Sequence, residues 1–184
     1  MQEKIKARVM DESKIRRALT RIATEVIERN RNLKNLAIIG IRTRGIFIGR
    51  RVSELIKDME KVEVPVGVLD ITPYRDDLPT DESRNIARKT KLNFNVEKKD
   101  VILVDDVLMT GRTIRAALDA VIDHGRPRSV QLLVLVDRGH RELPIRPDYV
   151  GKVLPTSRRE IVRVLLKEAD QADEVIIAEP VRMK

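Results

Sequence analysis

The sequence predicts an α/β fold in which a mainly parallel central sheet is flanked by helices. Short apolar runs of strand length, such as LAIIGI at 36–41 and VILVD at 101–105, alternate along the chain with amphipathic helical patterns. These runs are apolar throughout, which is typical of strands buried on both faces of a parallel sheet. A length of 184 residues favours a single domain, 1–184, with one core of ordinary size.

The first half of the chain contains two predicted helices and two predicted strands. Asp11 can cap a helix that runs to about Arg31. The strand at 36–41 is followed by a turn, RTRG, and by a second amphipathic helix to about Met59. The next predicted strand is VPVGVLDI, at 64–71.

The second half begins after a polar stretch, 72–91, which contains two prolines and no periodic apolar face. A gap of this length inside a compact domain indicates a functional or disordered loop. LNFNV then resumes strand-like alternation, VILVD leads into a helix that ends at Gly125, and SVQLLVLVD is a further buried strand. EIVRVLLKE fits a short helix or a strand about equally, but the acidic DQADE before VIIAE favours two strands joined by a turn.

Composition narrows the possible chemistry. Cysteine is absent and the only histidines are His124 and His140, which excludes disulfides, thiolate chemistry and a conventional zinc site. Any metal must therefore be held by oxygen, and Mg²⁺ carried on a phosphate substrate fits best. No run approaches the roughly 18 apolar residues of a membrane span, and the charged start of the chain is unlike a signal peptide. We therefore expect a cytoplasmic protein with no membrane partner.

The stretch VILVDDVLMTGRT, residues 101–113, combines the features of a sugar-phosphate site. It passes from a buried strand into a helix, and ligands of open parallel sheets bind at that edge. Gly111 permits close backbone approach, the helix N-terminus offers amides and two threonines add hydroxyls, so MTGRT can bind a phosphate. Asp105 and Asp106 suit sugar hydroxyls, and their charge would stabilise a cationic ribose carbon. The alternative is that the two aspartates merely end a strand and cap a helix.

This stretch resembles the phosphoribosyl diphosphate (PRPP) signature of the type I phosphoribosyltransferases. The resemblance implies the fold of that family, with a small hood at about 135–160 and a flexible loop at about 72–91 that closes over the active site. Within that loop, Arg75, Arg88 and Lys89 could reach the diphosphate, although solvated charge is the alternative for each. IRTRG, at the end of the first core strand, resembles the family's diphosphate-binding loop; the alternative is an ordinary turn and helix start.

The resemblance also implies roles for individual residues. Asp105 and Asp106 bind the ribose hydroxyls, and Arg44 holds the leaving diphosphate; these three are the implied catalytic residues. The implied PRPP- and UMP-binding set is Thr43, Arg44, Asp105, Asp106, Met109, Thr110, Gly111, Arg112 and Thr113. Mg²⁺ bound with PRPP is the implied cofactor, with no metal site formed by protein side chains alone.

Nearly the whole chain resembles one branch of this family, the bacterial pyrimidine-operon attenuation regulators that are also uracil phosphoribosyltransferases. The resemblance rests on MDESKIRRALTRIATEVIERN, DITPYRDDL and LVDRGHRELPIRPDYVGKVLPTSRRE. It implies that uracil and PRPP give UMP and diphosphate, with Arg138 and the backbone around it in the uracil pocket. Lys152 follows DYVG where purine-salvage relatives tend to place a stacking aromatic, which disfavours a purine. A plain purine-salvage transferase and a nucleotide sensor without turnover are the alternatives.

The same resemblance implies that a stem-loop of pyrimidine-operon messenger RNA binds more tightly with UMP or UTP, and that the protein is a homodimer or higher homo-oligomer. The net charge of +8 favours polyanionic partners modestly, and only four aromatics disfavour base stacking on a single strand. A basic face of this kind would read a folded RNA through phosphates and shape. The predicted RNA-binding residues are Lys14, Arg17, Thr20, Arg21, His140, Arg141, Arg146 and Lys152. A solvated surface is the alternative for the helix charges, and the sequence has Thr24 where family members commonly carry histidine.

Overall fold

The computed structural model describes residues 3–74 and 90–180, which form eight strands and four α-helices. The strands are β1 (Glu3–Met10), β2 (Leu36–Ile41), β3 (Val66–Leu69), β4 (Asp100–Leu108), β5 (Ser129–Asp137), β6 (Tyr149–Val153), β7 (Ile161–Leu165) and β8 (Glu174–Pro180). The helices are α1 (Glu12–Arg29), α2 (Arg44–Glu60), α3 (Arg112–Asp123) and α4 (Lys167–Asp170). Most of the predicted closing loop, including Arg75, Arg88 and Lys89, lies outside the described residues.

Five parallel strands form the central sheet, in the order β3-β2-β4-β5-β6. Every residue of β2 is buried, as are the first six residues of β4. Such strands can be apolar throughout because helices cover both faces of the sheet. The predicted α/β class with a mainly parallel sheet is therefore confirmed.

The two faces of the sheet have separate apolar cores. On one face, α1 and α2 pack against side chains such as Ile38 and Ile102. On the other face, α3 packs against their neighbours Ile39 and Leu103. The alternation follows from the two-residue period of a strand, which sends successive side chains to opposite faces. The predicted cap of α1 is also present, since the Asp11 carboxylate accepts the backbone N–H of Lys14 at 2.8 Å.

A second, antiparallel sheet joins the two ends of the described chain in the order β1-β8-β7. The strand interpretation of the C-terminal third is confirmed for β7 and β8, with the short α4 between them. The sequence analysis did not predict β1, although Ile5, Ala7 and Val9 alternate with charged residues in KIKARVM. Most residues of this edge strand are exposed. It also did not predict β6, which adds an edge strand to the central sheet within the proposed hood.

The prediction of a strand at LNFNV was wrong. Only Lys91, just before this segment, makes a bridge, and it pairs with Val68 of β3. The alternating Leu92 and Phe94 instead pack as loop side chains over Gly67, where a Cβ atom would lie 2.5 Å from Leu92 and 3.2 Å from Phe94. The alternation therefore reflects burial against a glycine rather than strand pairing.

Among the helices that the structure describes, none has the length and apolar character needed to cross a membrane.

Candidate functional site

The predicted site residues of β2 and β4 meet at the carboxyl edge of the central sheet. These strands are hydrogen-bonded neighbours, and Gly40 of β2 lies opposite Val104 of β4. The first turn of α2 lies against β4 at Gly45, the last residue of the predicted diphosphate loop, where a Cβ atom would lie only 2.3 Å from the Val104 carbonyl oxygen. A glycine at this position thus lets the predicted diphosphate loop lie beside Asp105.

Asp105 and Asp106 lie in the last part of β4, where they form a shielded carboxylate pair. Asp105 is buried with 7% of its surface exposed, and Asp106 is half-buried. Each carboxylate accepts the backbone N–H of the next residue, Asp106 or Val107, at 2.9 Å. Burial raises the pKa of Asp105 well above its ordinary value, and the charge of Asp106 raises it further. Burial also raises the pKa of Asp106, although the nearby Arg44 opposes that rise.

The predicted phosphate loop, 109–113, connects β4 to the first turn of α3. Gly111 is buried and has a φ of +92°, a conformation that favours glycine. The hydroxyl of Thr110 accepts the Arg112 amide at 3.3 Å, and Arg112 and Thr113 are exposed. The amides of a first helical turn lack partners within the helix, so this loop presents donors to an anion.

The hood residues hold this loop from the other side. The carbonyl of Thr110 accepts the amides of Glu142 and Leu143 at 2.9 and 3.1 Å. Arg141 donates through Nη1 to the Met109 carbonyl at 2.9 Å and through Nη2 to the Asp137 carboxylate at 2.5 Å. Arg141, which the sequence analysis placed in the RNA-binding set, therefore supports the phosphate loop.

Arg138 is buried within the predicted hood, and only 6% of its surface is exposed. Its guanidinium donates to the Thr156 hydroxyl at 3.1 Å and to the carbonyls of Ser157 and Glu160 at 2.8 and 2.7 Å. Burial lowers the pKa of Arg138. The side chain thus fixes segment 156–160 in place. The adjacent His140 is hydrogen-bonded through Nε2 to the Thr156 carbonyl at 2.6 Å.

Thr43 and Arg44, the two predicted diphosphate-binding residues, differ in their surroundings. Thr43 is exposed and directly precedes α2. Arg44 is half-buried and forms a two-point ion pair with Asp170 of α4, with N–O distances of 3.0 and 2.7 Å. The hydrogen bonds with Asp170 raise the pKa of Arg44, and the nearby charge of Asp106 raises it further. The sequence analysis missed Asp170, whose acidic segment was interpreted only as a turn.

A basic groove lies between α1 and β6. It is lined by Val9, Met10, Lys14, Arg17, Ala18, Arg21, Gly151 and Lys152. Four of the eight predicted RNA-binding residues are therefore brought together from distant parts of the sequence. Arg21 also ties α1 to the sheet edge, donating to the carbonyls of Val150 and Gly151 at 2.8 and 2.9 Å.

The other predicted RNA-binding residues do not line this groove. The hydroxyl of Thr20 turns back onto α1 and donates to the Arg16 carbonyl at 3.0 Å. His140 and Arg141 lie in the hood, and Arg146 is an exposed residue before β6. The predicted set thus divides between the groove and the hood.

Comparison with known proteins shows the family of this chain. A family model described as a phosphoribosyl transferase domain matches residues 7–168. The chain belongs to the phosphoribosyltransferase family. Two similar relatives, both called bifunctional protein PyrR, come from Brevibacillus brevis and Deinococcus radiodurans. The first is 62% identical and the alignment covers 94% of this chain and 96% of that protein; the second is 58% identical with 95% and 96% covered. At these identities the chain is a phosphoribosyltransferase of the PyrR group.

Solved phosphoribosyltransferases share the fold at low sequence identity. The hypoxanthine phosphoribosyltransferase of Trypanosoma cruzi aligns with a TM-score of 0.72 at 16% identity, covering 96% of this chain and 98% of that structure. The enzyme from Staphylococcus aureus aligns with a TM-score of 0.70 at 17% identity, covering 96% and 94%. These alignments confirm the type I phosphoribosyltransferase fold and do not bear on the choice of base.

Proposed function

We propose that this chain is a bifunctional protein, a uracil phosphoribosyltransferase that also binds messenger RNA to regulate pyrimidine genes. The observation that carries the enzymatic half is the shielded carboxylate pair of Asp105 and Asp106, which is followed by the predicted phosphate loop and has the cationic Arg44 nearby. The shared name of its relatives, bifunctional protein PyrR, supports two activities in one chain. Purine salvage without RNA regulation has less support, because no observation at the site favours a purine.

In this proposal, each part of the site binds one part of PRPP. The amides and hydroxyls of 109–113 bind the 5-phosphate, and the carboxylates of Asp105 and Asp106 accept the ribose hydroxyls. Thr43 and Arg44 bind the diphosphate across the edge of the sheet. When diphosphate leaves C1, the ribose becomes oxocarbenium-like, and carboxylates already fixed in a shielded site stabilise that charge.

Mg²⁺ is the proposed cofactor, since phosphoribosyltransferases generally use it with PRPP. Within 3–74 and 90–180, no cluster of three acidic or histidine side chains is suited to hold a metal ion by itself. The site still fits the ion, because Mg²⁺ keeps several waters and takes one or two carboxylates together with substrate phosphates. Asp105 and Asp106 are the oxygen donors for that role. The bound ion would neutralise diphosphate charge and make it a better leaving group.

The uracil pocket is proposed to lie under the hood, beside Arg138. Because the Arg138 guanidinium already donates to segment 156–160, its role is to position the hood, and the base meets the neighbouring backbone. Backbone amides and carbonyls can match the donor and acceptor pattern of a pyrimidine edge.

The enzymatic half is tested by replacing Asp105 and Asp106 together with asparagine. We expect UMP formation from uracil and PRPP to fall roughly a hundredfold or more, because the charge facing the oxocarbenium is lost. The exposed Asp58→Asn variant is the control and should keep wild-type turnover. Undiminished turnover in the double variant would contradict the site assignment, and faster turnover of hypoxanthine or guanine than uracil would select the purine alternative.

The RNA-binding half is supported by the groove between α1 and β6. Lys14, Arg17, Arg21 and Lys152 line it, and their charge suits the phosphates of a folded RNA. Arg17→Gln combined with Lys152→Gln should weaken the binding of pyrimidine-leader RNA. The slope of log K against log salt concentration should fall in magnitude by about one for each residue, because each loses one phosphate contact. Arg126→Gln, which removes an exposed charge outside the groove, is the control. An equal effect of the control would reduce the groove to general electrostatics.

A further inference from the structure

Asp170 connects the second sheet to the diphosphate end of the active site. Arg44 Nε donates to Asp170 Oδ2 at 3.0 Å and Arg44 Nη2 donates to Asp170 Oδ1 at 2.7 Å. The side chains are 32% exposed for Arg44 and 17% exposed for Asp170, so water only partly screens the pair. A two-point pair of this kind fixes the plane of a guanidinium as well as its position.

The turn that carries Asp170 is itself firmly held. The Asp170 carboxylate accepts the Leu166 amide at 3.0 Å, and the Asp170 amide donates to the Leu166 carbonyl at 2.7 Å. Arg51, two helical turns after Arg44 on α2, donates to the carboxylates of Glu168 and Asp173 on either side. Asp170 is therefore a fixed acceptor, and Arg44 is the partner that could move.

The pairing leaves one edge of the Arg44 guanidinium available. A guanidinium offers five N–H donors, and Asp170 uses Nε and one N–H of Nη2. No residue in 3–74 or 90–180 accepts a hydrogen bond from Nη1. Arg44 itself lies near the ribose end of the site, because a Cβ atom on the adjacent Gly45 would lie 3.3 Å from Asp105 Cα and the charge of Asp106 acts on the guanidinium.

We propose that Asp170 is a positioning residue, which holds Arg44 so that its open edge binds the diphosphate of PRPP. This inference rests on the proposed function, because it assigns the anion at that edge as the diphosphate of PRPP. Asp170 does not touch the substrate. It removes the rotamer freedom that a half-exposed arginine would otherwise lose on binding, and the affinity for PRPP rises accordingly.

The test compares Asp170→Asn with the wild-type protein. Asparagine can keep its oxygen toward the Leu166 amide and Arg44 Nε, but its NH₂ group then faces the Nη2 donor. The charge and the two-point pairing that fix the guanidinium are therefore lost while the turn is kept. We expect KM for PRPP to rise about tenfold, with KM for uracil unchanged and kcat changed less than threefold. Asp170→Glu should recover part of the loss because it restores the charge. In an Arg44→Ala background, Asp170→Asn should have no further effect on KM.

Glu168→Gln is the matched control, since it alters the same turn through Arg51 and leaves Arg44 untouched. Its KM for PRPP should equal that of the wild type. An unchanged or lowered KM in Asp170→Asn, or an equal rise in the Glu168 control, would overturn the inference. Calorimetry measures the binding of PRPP with Mg²⁺ and needs no turnover, so it tests the role of Asp170 independently of the reaction. Wild-type protein that binds PRPP but converts no base would contradict the proposed activity and not the role of Asp170.

Discussion

The replacement Gly45→Ala tests whether close approach of the diphosphate loop to β4 forms the active site. The added Cβ would lie 2.3 Å from the Val104 carbonyl oxygen and 3.3 Å from Asp105 Cα. Ordinary contact begins at 3.4 Å, so the start of α2 must move away from β4 by about 1 Å. Overpacking of this kind costs about 1–3 kcal/mol, and a 1 Å displacement of a positioning group can lower the rate about a hundredfold.

Two measurements are made on each variant: the rate of UMP formation from uracil and PRPP, and the free energy of unfolding in urea. Gly49→Ala is the matched control, because it lies on the same helix and its Cβ would meet a side-chain methyl of Ile38 at 2.9 Å instead of backbone. Gly49 lies in the helix interior, where alanine gains about 1 kcal/mol of helix propensity, whereas Gly45 lies in the first turn. Of the two variants, Gly45→Ala alone places its Cβ against backbone. We expect a large loss of kcat/KM for PRPP in Gly45→Ala and near wild-type kinetics in Gly49→Ala. Wild-type kinetics in both would refute the reasoning.

Two further predictions concern stability. Burial raises the pKa of Asp105 and Asp106, so ionising them in the folded state at neutral pH costs about 1.4 kcal/mol per pKa unit. Asparagine at both positions should therefore raise the free energy of unfolding at pH 7, and the gain should disappear as the pH falls toward the ordinary carboxyl pKa of about 4; a constant gain across urea titrations at several pH values would contradict this. Tyr149→Phe should cost about 1–2 kcal/mol in urea unfolding, because the buried hydroxyl donates to Gln131 at 2.5 Å and accepts from Asn30 at 3.1 Å; no loss of stability would show that this network is not stabilising.

The local parts of the site could be predicted from the sequence. Residues 101–113 form one strand, one turn and one helix start, so the carboxylates and the phosphate loop are brought together by their own short stretch. The sequence also predicted that Gly111, which has a positive φ in the structure, permits close approach of the backbone to a ligand. The buried strands could be predicted from unbroken apolar runs, because a strand that is covered on both faces of its sheet can be apolar at every position.

Contacts between distant residues could not be predicted in this way. Arg44 and Asp170 are 126 residues apart, and nothing in either local pattern indicates the pairing. Arg141 carries the same charge whether it meets RNA or the Met109 carbonyl, so composition cannot separate these roles. β1 was missed for a related reason. Most of its residues are exposed, and it is held in place by pairing with the distant β8.

In the proposed function, one chain both makes a uridine nucleotide and uses it to recognise RNA. The most direct test is a titration of a pyrimidine-leader stem-loop RNA at fixed moderate salt, with and without UMP, against a scrambled stem of equal length. We predict specific binding that UMP strengthens, which would also show that Thr24 is compatible with RNA recognition. Equal and salt-labile binding to both RNAs, unaffected by UMP, would contradict the account and leave the basic groove as ordinary surface charge.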